Sequence, residues 1–231
     1  MGCHSILSRH VKSFVLFVQS YADLHILKAC VVPRPIGWIS TVSPTQSEQE
    51  PIFNLAPYSQ FNNLTFDPPY VMFASNQKPT STSPGFERKD TVRNAESTGY
   101  FCWQLATYPL REAVNITART SDYSVDEFEQ AGLEKTWSTS LPISVPMVKK
   151  SPVRFECQYY TTIRLPGNPP MGTVDVVVGR VLGIHIDDEV LSSEVDNTFE
   201  MIVENTDLYG LAGDAAENRK RYKEAEGHTL N

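Results

Sequence analysis

Catalytic and structural signatures are sparse in this chain. The four cysteines, Cys3, Cys30, Cys102 and Cys157, lie far apart with no CxxC pair. That spacing supplies neither the ligand pairs of a structural zinc site nor a disulfide scaffold, and it fits reduced thiols. The five histidines, His4, His10, His25, His185 and His228, are scattered and no two have metal-ligand spacing. Neither GxGxxG nor GxxxxGK(S/T) occurs, so both common nucleotide fingerprints are missing. There is no GxSxG nucleophile elbow. The carboxylate pair Asp187-Asp188 falls on an expected turn rather than across a cleft, which does not suit a glycosidase dyad. His185 sits among acidic neighbours at a strand end and reads as a surface histidine. An enzyme that runs acid–base or nucleophilic chemistry on its own side chains is therefore not what this sequence describes.

Positive charge is also short. The net charge is −7 and the isoelectric point near 5.3, which argues against a nucleic-acid protein because phosphate binding there needs a basic face. One small anion site needs only a few local Arg or Lys residues and stays open. No apolar run approaches the roughly 20 residues that span a bilayer, and a cytoplasmic location is the corresponding expectation. The start, MGCHSILSRHVKSFVLFVQSY, has no acidic residue before Asp23 and a short apolar patch from Phe14 to Val18. That patch is short for a secretory core, and Ile6 stands where a myristoylation pattern wants Ser or Thr. Residues 1–26 read as an N-terminal extension, with a targeting segment as the alternative.

What is present is ample apolar content: 41% over 231 residues, enough for a full core in one domain. A first strand is expected over Ala29 to Ser43, held extended at its start by Pro33 and Pro35, with a hairpin loop from Pro44 to Pro51. Ile52 to Phe66 follows, then the turn Asp67-Pro68-Pro69 and a strand from Tyr70 to Ala74. Asn76 to Arg88 reads as a surface loop. Asp90 is expected to cap a helix over Thr91 to Thr98 that stops at Gly99. Tyr100 to Ala106 reads as a strand and Leu110 to Thr120 as a helix. Ser124 and Glu127 have capping-box spacing for a short helix ended by Gly132. After a proline-marked connection come two long strands, Pro152 to Leu165 and Thr173 to Asp187, and then a polar tail with a helical stretch around Asp214 to Ala225. Strand–helix alternation is missing, so a doubly wound nucleotide fold is excluded and an antiparallel barrel with peripheral helices is favoured.

The densest signal lies between Val31 and Asp90, in the blocks PRPIGWIST, NLAPYSQFN with DPP following, and ERKDT running into KDTVRN. Their β-forming residues, prolines, hydroxyls and amides suit a strand-built surface for a planar, phosphorylated ligand. Arg88 and Lys89 beside a helix start, with Thr91 as a hydroxyl donor, suit a phosphate. The prolines of NLAPYS leave neighbouring backbone donors unpaired. These blocks, in this order and spacing, resemble the flavin reductase-like, FMN-binding split-barrel family. The likeness continues through GYFCWQLA, DEFEQAGL, SPVRFEC and GRVLGIHIDDEVL and covers about Leu27 to Leu191.

The resemblance implies a mainly β, antiparallel split β-barrel with peripheral α-helices over residues 27–203, with 204–231 as a polar C-terminal tail. It further implies a homodimer with FMN near the subunit interface. Trp38, Ser40 and Thr41 would line the pocket from the first strand. Asn54, Leu55, Ala56, Tyr58, Ser59 and Asn62 would follow the isoalloxazine ring and ribityl chain. Ser75, Lys89, Asp90 and Thr91 would surround the phosphate, with Asp90 capping the helix or holding a ribityl hydroxyl. The implied activity is an oxidoreductase passing reducing equivalents from NAD(P)H to flavin or a flavin-linked acceptor, with a monooxygenase as a partner. The alternative is a non-catalytic FMN-binding or interaction protein, because the tail DLYGLAG differs from the Arg-and-Gly-containing closing segment of relatives.

Overall fold

A computed structural model describes residues 30–44, 50–80, 85–168 and 172–190. The chain divides into Met1–Val32 and Pro33–Asn231, and every element below lies in the second unit. The strands are β1 (Gly37–Val42), β2 (Phe53–Tyr58), β3 (Phe61–Phe66), β4 (Pro69–Asn76), β5 (Lys78–Pro79), β6 (Phe86–Glu87), β7 (Tyr100–Gln104), β8 (Lys135–Trp137), β9 (Pro146–Val148), β10 (Val153–Leu165) and β11 (Val174–Ile186). The helices are α1 (Asp90–Thr98), α2 (Arg111–Thr117) and α3 (Glu127–Gln130).

Seven strands form one antiparallel sheet in the order β2-β1-β7-β10-β11-β4-β3. Its two edges, β2 and β3, follow one another in the chain and are joined by Ser59 and Gln60 alone. The sheet must therefore curl until its ends meet. The two edges are not paired in a ladder, so the closure is a split barrel. Its interior holds Ile39, Tyr58, Phe61, Phe73, Phe101, Trp103, Cys157 and Val177, a set drawn from all seven strands. Aromatic contacts fix the packing: Phe61 stacks on Trp103 at 5.2 Å between ring centroids, and Phe73 meets Phe101 edge-on at 5.5 Å. Room for Phe101 comes from Gly179, where an added Cβ would lie 2.4 Å from the ring.

Strand β1 is buried along its whole length because it is covered on both faces. Ile39 points into the barrel, whereas Trp38 packs with Leu55, Leu110, Phe128 and Val148 in a second cluster under α2 and α3. Helix α1 sits on the barrel through Val92 and Ala95 and ends at Gly99, whose φ of 81° is the left-handed conformation that closes a helix.

Several local expectations change. Paired strand begins at Gly37 rather than Ala29, since Pro33 and Pro35 offer no ladder donors. The stretch Ile52 to Phe66 breaks into β2 and β3 at Ser59-Gln60. Asp90 is the first residue of α1, not its cap; Lys89 takes the cap position and no side chain caps the helix. The cap of α3 is Asp126, which accepts from the Phe128 and Glu129 amides, so the Ser124–Glu127 box does not form. The helix expected to reach Thr120 stops at Thr117. Short hairpins, β5–β6 and β8–β9, occupy segments read as loop and connection. The extension 1–26, most of the loop from Pro44 to Pro51, and the tail 204–231 lie outside the described residues.

Candidate functional site

A cleft opens where the end of β2, the start of α1, the β5 lysine, the loop after α2 and the start of α3 converge. Its lining is Asn54, Ala56, Pro57, Tyr58, Lys78, Lys89, Asp90, Thr91, the run Thr117 to Ser121, and Glu127. The local causes are visible in the chain. Strand alternation sends Asn54, Ala56 and Tyr58 to one face of β2 while Leu55 turns into the second apolar cluster. The uncapped start of α1 leaves first-turn backbone donors at the cleft, where the helix dipole favours negative charge.

Behind the lining runs a buried polar network centred on Asn54. Its Oδ1 accepts from the Thr91 hydroxyl at 2.6 Å and from the Thr41 hydroxyl at 3.4 Å. Its Nδ2 donates to Glu127 Oε2 at 3.1 Å, and the Leu55 amide donates to the same oxygen at 3.1 Å. Asn94 extends the chain, donating to Thr41 Oγ1 and accepting from the Tyr123 hydroxyl. One side chain thus ties β2 to β1, α1 and α3. Thr117 is fixed in turn by the Trp38 indole, which donates to its Oγ1 at 3.0 Å.

The charges are uneven. Burial raises the Glu127 carboxyl pKa; the bonds from Leu55 and Asn54 oppose the rise, and Asp90 adds to it. Lys89 is exposed overall, yet desolvation of its ammonium, with Lys78 adding a second positive charge, draws its pKa below the ordinary lysine value. Its ammonium lies 5.8 Å from the centre of the Tyr58 ring. Asp90 is held by Lys78 at 3.8 Å and Arg93 at 3.4 Å. Arg88 is turned away, paired to Glu96.

Tyr58 stands out. It is only 5% exposed, and its hydroxyl is buried against Thr91 and Ser75 without a hydrogen bond of good geometry to either. Burial pushes its pKa up to about 12, so it is a neutral donor at any ordinary pH. An unpaired buried hydroxyl costs stability unless something else satisfies it.

Of the residues expected at the site, Asn54, Ala56, Tyr58, Lys89, Asp90 and Thr91 line the cleft together. Trp38 and Thr41 stand one layer behind, reaching it through Thr117 and Asn54. Ser75 is buried on β4 beside Tyr58. Ser40, Leu55, Ser59 and Asn62 lie outside the cleft lining. Ser40 lies on the other face of β1, donating to the Pro146 carbonyl and accepting from Gln104. Leu55 contributes core packing, and its amide is taken by Glu127 rather than left free. Ser59 sits in the β2–β3 turn against Gln60, and Asn62 is exposed on β3. Thr91 keeps its place, but its hydroxyl hydrogen is committed to Asn54.

Glu127 and the run Thr117 to Ser121 were not anticipated. Their signal was faint: Glu127 stands 73 positions from Asn54 in the chain and carried only a capping interpretation.

Comparison with known proteins converges on one group. The sequence model described as "Flavin reductase like domain" matches residues 29–202. An uncharacterized protein of Aquifex aeolicus (strain VF5) is 34% identical over 170 residues, spanning 74% of this chain and 78% of that protein. The crystal structure of nitrilotriacetate monooxygenase component B from Bacillus cereus is 30% identical with a TM-score of 0.67, covering 80% of this chain and 86% of that one. A split-barrel-domain protein from Shewanella frigidimarina NCIMB 400 shares the fold at 18% identity and a TM-score of 0.60, over 76% of this chain and 78% of that one.

Proposed function

This chain belongs to the flavin reductase-like family, and on that premise we propose that its cleft holds FMN and that the protein passes reducing equivalents from NAD(P)H to flavin or a flavin-linked acceptor. The observation that carries this reading is one cleft that brings Lys89 and the uncapped start of α1 beside the wall formed by Asn54, Ala56 and Tyr58.

The residues present fit the group. Lys89 and the uncapped backbone donors of α1 suit a phosphate dianion. Asp90, already neutralised by Lys78 and Arg93, is left a weak repeller. Thr91 contributes its backbone position and buttresses Asn54 instead of donating its hydroxyl outward. Asn54, Ala56 and Tyr58 form the wall available to a ring and its polyol chain, with Tyr58 a donor that stays protonated. When bound, FMN supplies the hydride chemistry itself, and the protein's share is binding, orientation and electrostatics. This accounts for a family site without a nucleophile, a metal cluster or a dinucleotide fold.

The same proposal includes a homodimer. It is supported by large apolar side chains exposed on the outer sheet surface, including Tyr160, Ile163 and Leu165 on β10 and Leu182 and Ile184 on β11. A domain over residues 27–203 flanked by an extension and a tail, and a monooxygenase as acceptor partner, complete it. The relative from Bacillus cereus is itself a monooxygenase component.

The experiment is anaerobic NADH and NADPH oxidation by purified protein with and without FMN. Oxidation that depends on both protein and FMN is expected. Flavin binding with no pyridine-nucleotide oxidation would move the assignment to a non-catalytic flavin protein.

A further inference from the structure

The cleft carries a second cation whose charge is not answered by any carboxylate among the described residues. Arg119 lines it from the loop after α2 and is exposed. Five other arginines are answered by carboxylates: Arg88 by Glu96, Arg93 by Asp90, Arg111 by Glu112, Arg154 by Asp187, and Arg164 by Glu96 and Asp175, while Arg180 on β11, outside the cleft, has no ion pair among the described residues. Among the described residues the Arg119 guanidinium has no ion pair, hydrogen bond or aromatic contact, although two carboxylates, Asp90 and Glu127, share its cleft. Both are already occupied, Asp90 by Lys78 and Arg93 and Glu127 by Asn54 and the Leu55 amide.

Its loop is built rather than loose. Thr117 is anchored by the Trp38 indole and donates its own hydroxyl to the Val114 carbonyl. The Arg119 amide donates to the Ile116 carbonyl, and the Ser121 hydroxyl donates to Gln130 Oε1. A solvated arginine on a mobile turn would need none of these anchors. Lys89 lines the same cleft from the start of α1, a helix whose N-terminus has no side-chain cap.

The charges count to a definite class of ligand. Lys78 is spoken for by Glu87 and Asp90, which leaves Lys89 and Arg119 as two positive charges without an ion-pair partner on one cleft. A phosphate monoester carries about −1.5 to −2 charges at pH 7. A ligand lacking that phosphate would leave both cations without an anion. A guanidinium adds a rigid planar fork that matches two phosphate oxygens, where an ammonium is a compact point charge.

We propose that Arg119 is a specificity-determining residue of the cleft: it meets the FMN phosphate from the loop after α2 while Lys89 meets it from the start of α1, so that the phosphorylated flavin is selected over the dephosphorylated one. This rests on the FMN reading above and adds the residue that sets the selectivity.

The test is the dissociation constants of FMN and of riboflavin, by quenching of flavin fluorescence, for the unmodified protein, Arg119→Gln, Arg119→Lys and Lys89→Gln, at low and high salt. The unmodified protein should prefer FMN. Arg119→Gln should weaken FMN binding about 10- to 100-fold, the size expected for a charge-assisted contact, and leave riboflavin binding as it was. Arg119→Lys should recover part of the preference, and Lys89→Gln should lose it as Arg119→Gln does. The remaining FMN preference in each variant should also be less sensitive to salt. An Arg119→Gln protein that keeps the full FMN preference overturns the proposal, as does one that loses both flavins equally. Unmodified protein that binds FMN and riboflavin alike overturns phosphate recognition but keeps the flavin site. Unmodified protein that binds neither overturns the functional assignment as well.

Discussion

At the scale of single residues, the cleft is defined by groups whose surroundings are incomplete in the protein alone. Tyr58 buries a hydroxyl with no partner. Replacing it with Phe removes an unsatisfied group, so the ligand-free protein should gain up to about 1–3 kcal/mol of stability while flavin affinity falls. Urea unfolding and a flavin titration on the same variant measure the two effects, and a loss of stability would instead mean that the hydroxyl is bonded within the protein, to Thr91 or Ser75. Glu127 gives a pH signature. Burial raises its pKa in the folded state, so there the folded protein binds more protons than the unfolded chain does. Unfolding free energy from this group is therefore highest below the ordinary carboxylate pKa and declines as pH rises through the raised one. Glu127→Gln should flatten that decline in melting temperature between the two values, and an unchanged slope would assign it elsewhere.

Elements explain which of these residues could be seen in the sequence. Asn54, Ala56, Tyr58, Lys89, Asp90 and Thr91 fall in two short runs, a strand whose alternation puts the first three on one face and a helix start that gathers the other three. For Ser40 the sequence is ambiguous: β1 is buried on both faces, so alternation fixes that Ser40 and Thr41 point apart but not which faces the cleft. Glu127 and Arg119 were illegible because each reaches the site from an element distant in the chain, and no local pattern encodes that meeting. The helix stop at Gly99 was legible, since a left-handed residue there calls for glycine. Gly99→Ala meets no neighbour within 4 Å, so backbone strain alone should cost about 1–2 kcal/mol. Gly179→Ala pushes a methyl into the Phe101 ring and should cost about 1–3 kcal/mol through overpacking. Thermal melts of the two variants check both; a neutral Gly179→Ala would mean Phe101 has room to move.

The whole molecule was legible in class and only partly in detail. Missing strand–helix alternation pointed to an antiparallel barrel, and consecutive edge strands joined by two residues explain why that barrel closes yet stays split. The curl brings β2, the start of α1 and the loop after α2 around one cleft, placing a phosphate-seeking helix start beside an amide-and-hydroxyl wall. Exposed apolar residues on β10 and β11 predict a dimer, which light scattering would report as twice the chain mass; a monomer at micromolar concentration would remove that element of the account. The central claim is that this cleft is a flavin site. Titration of the purified, ligand-free protein with FMN, read by flavin fluorescence and by melting temperature together, tests it most directly. Saturable quenching at one flavin per chain with a rising melting temperature is the predicted result, and a flat titration with an unmoved melting temperature would contradict it.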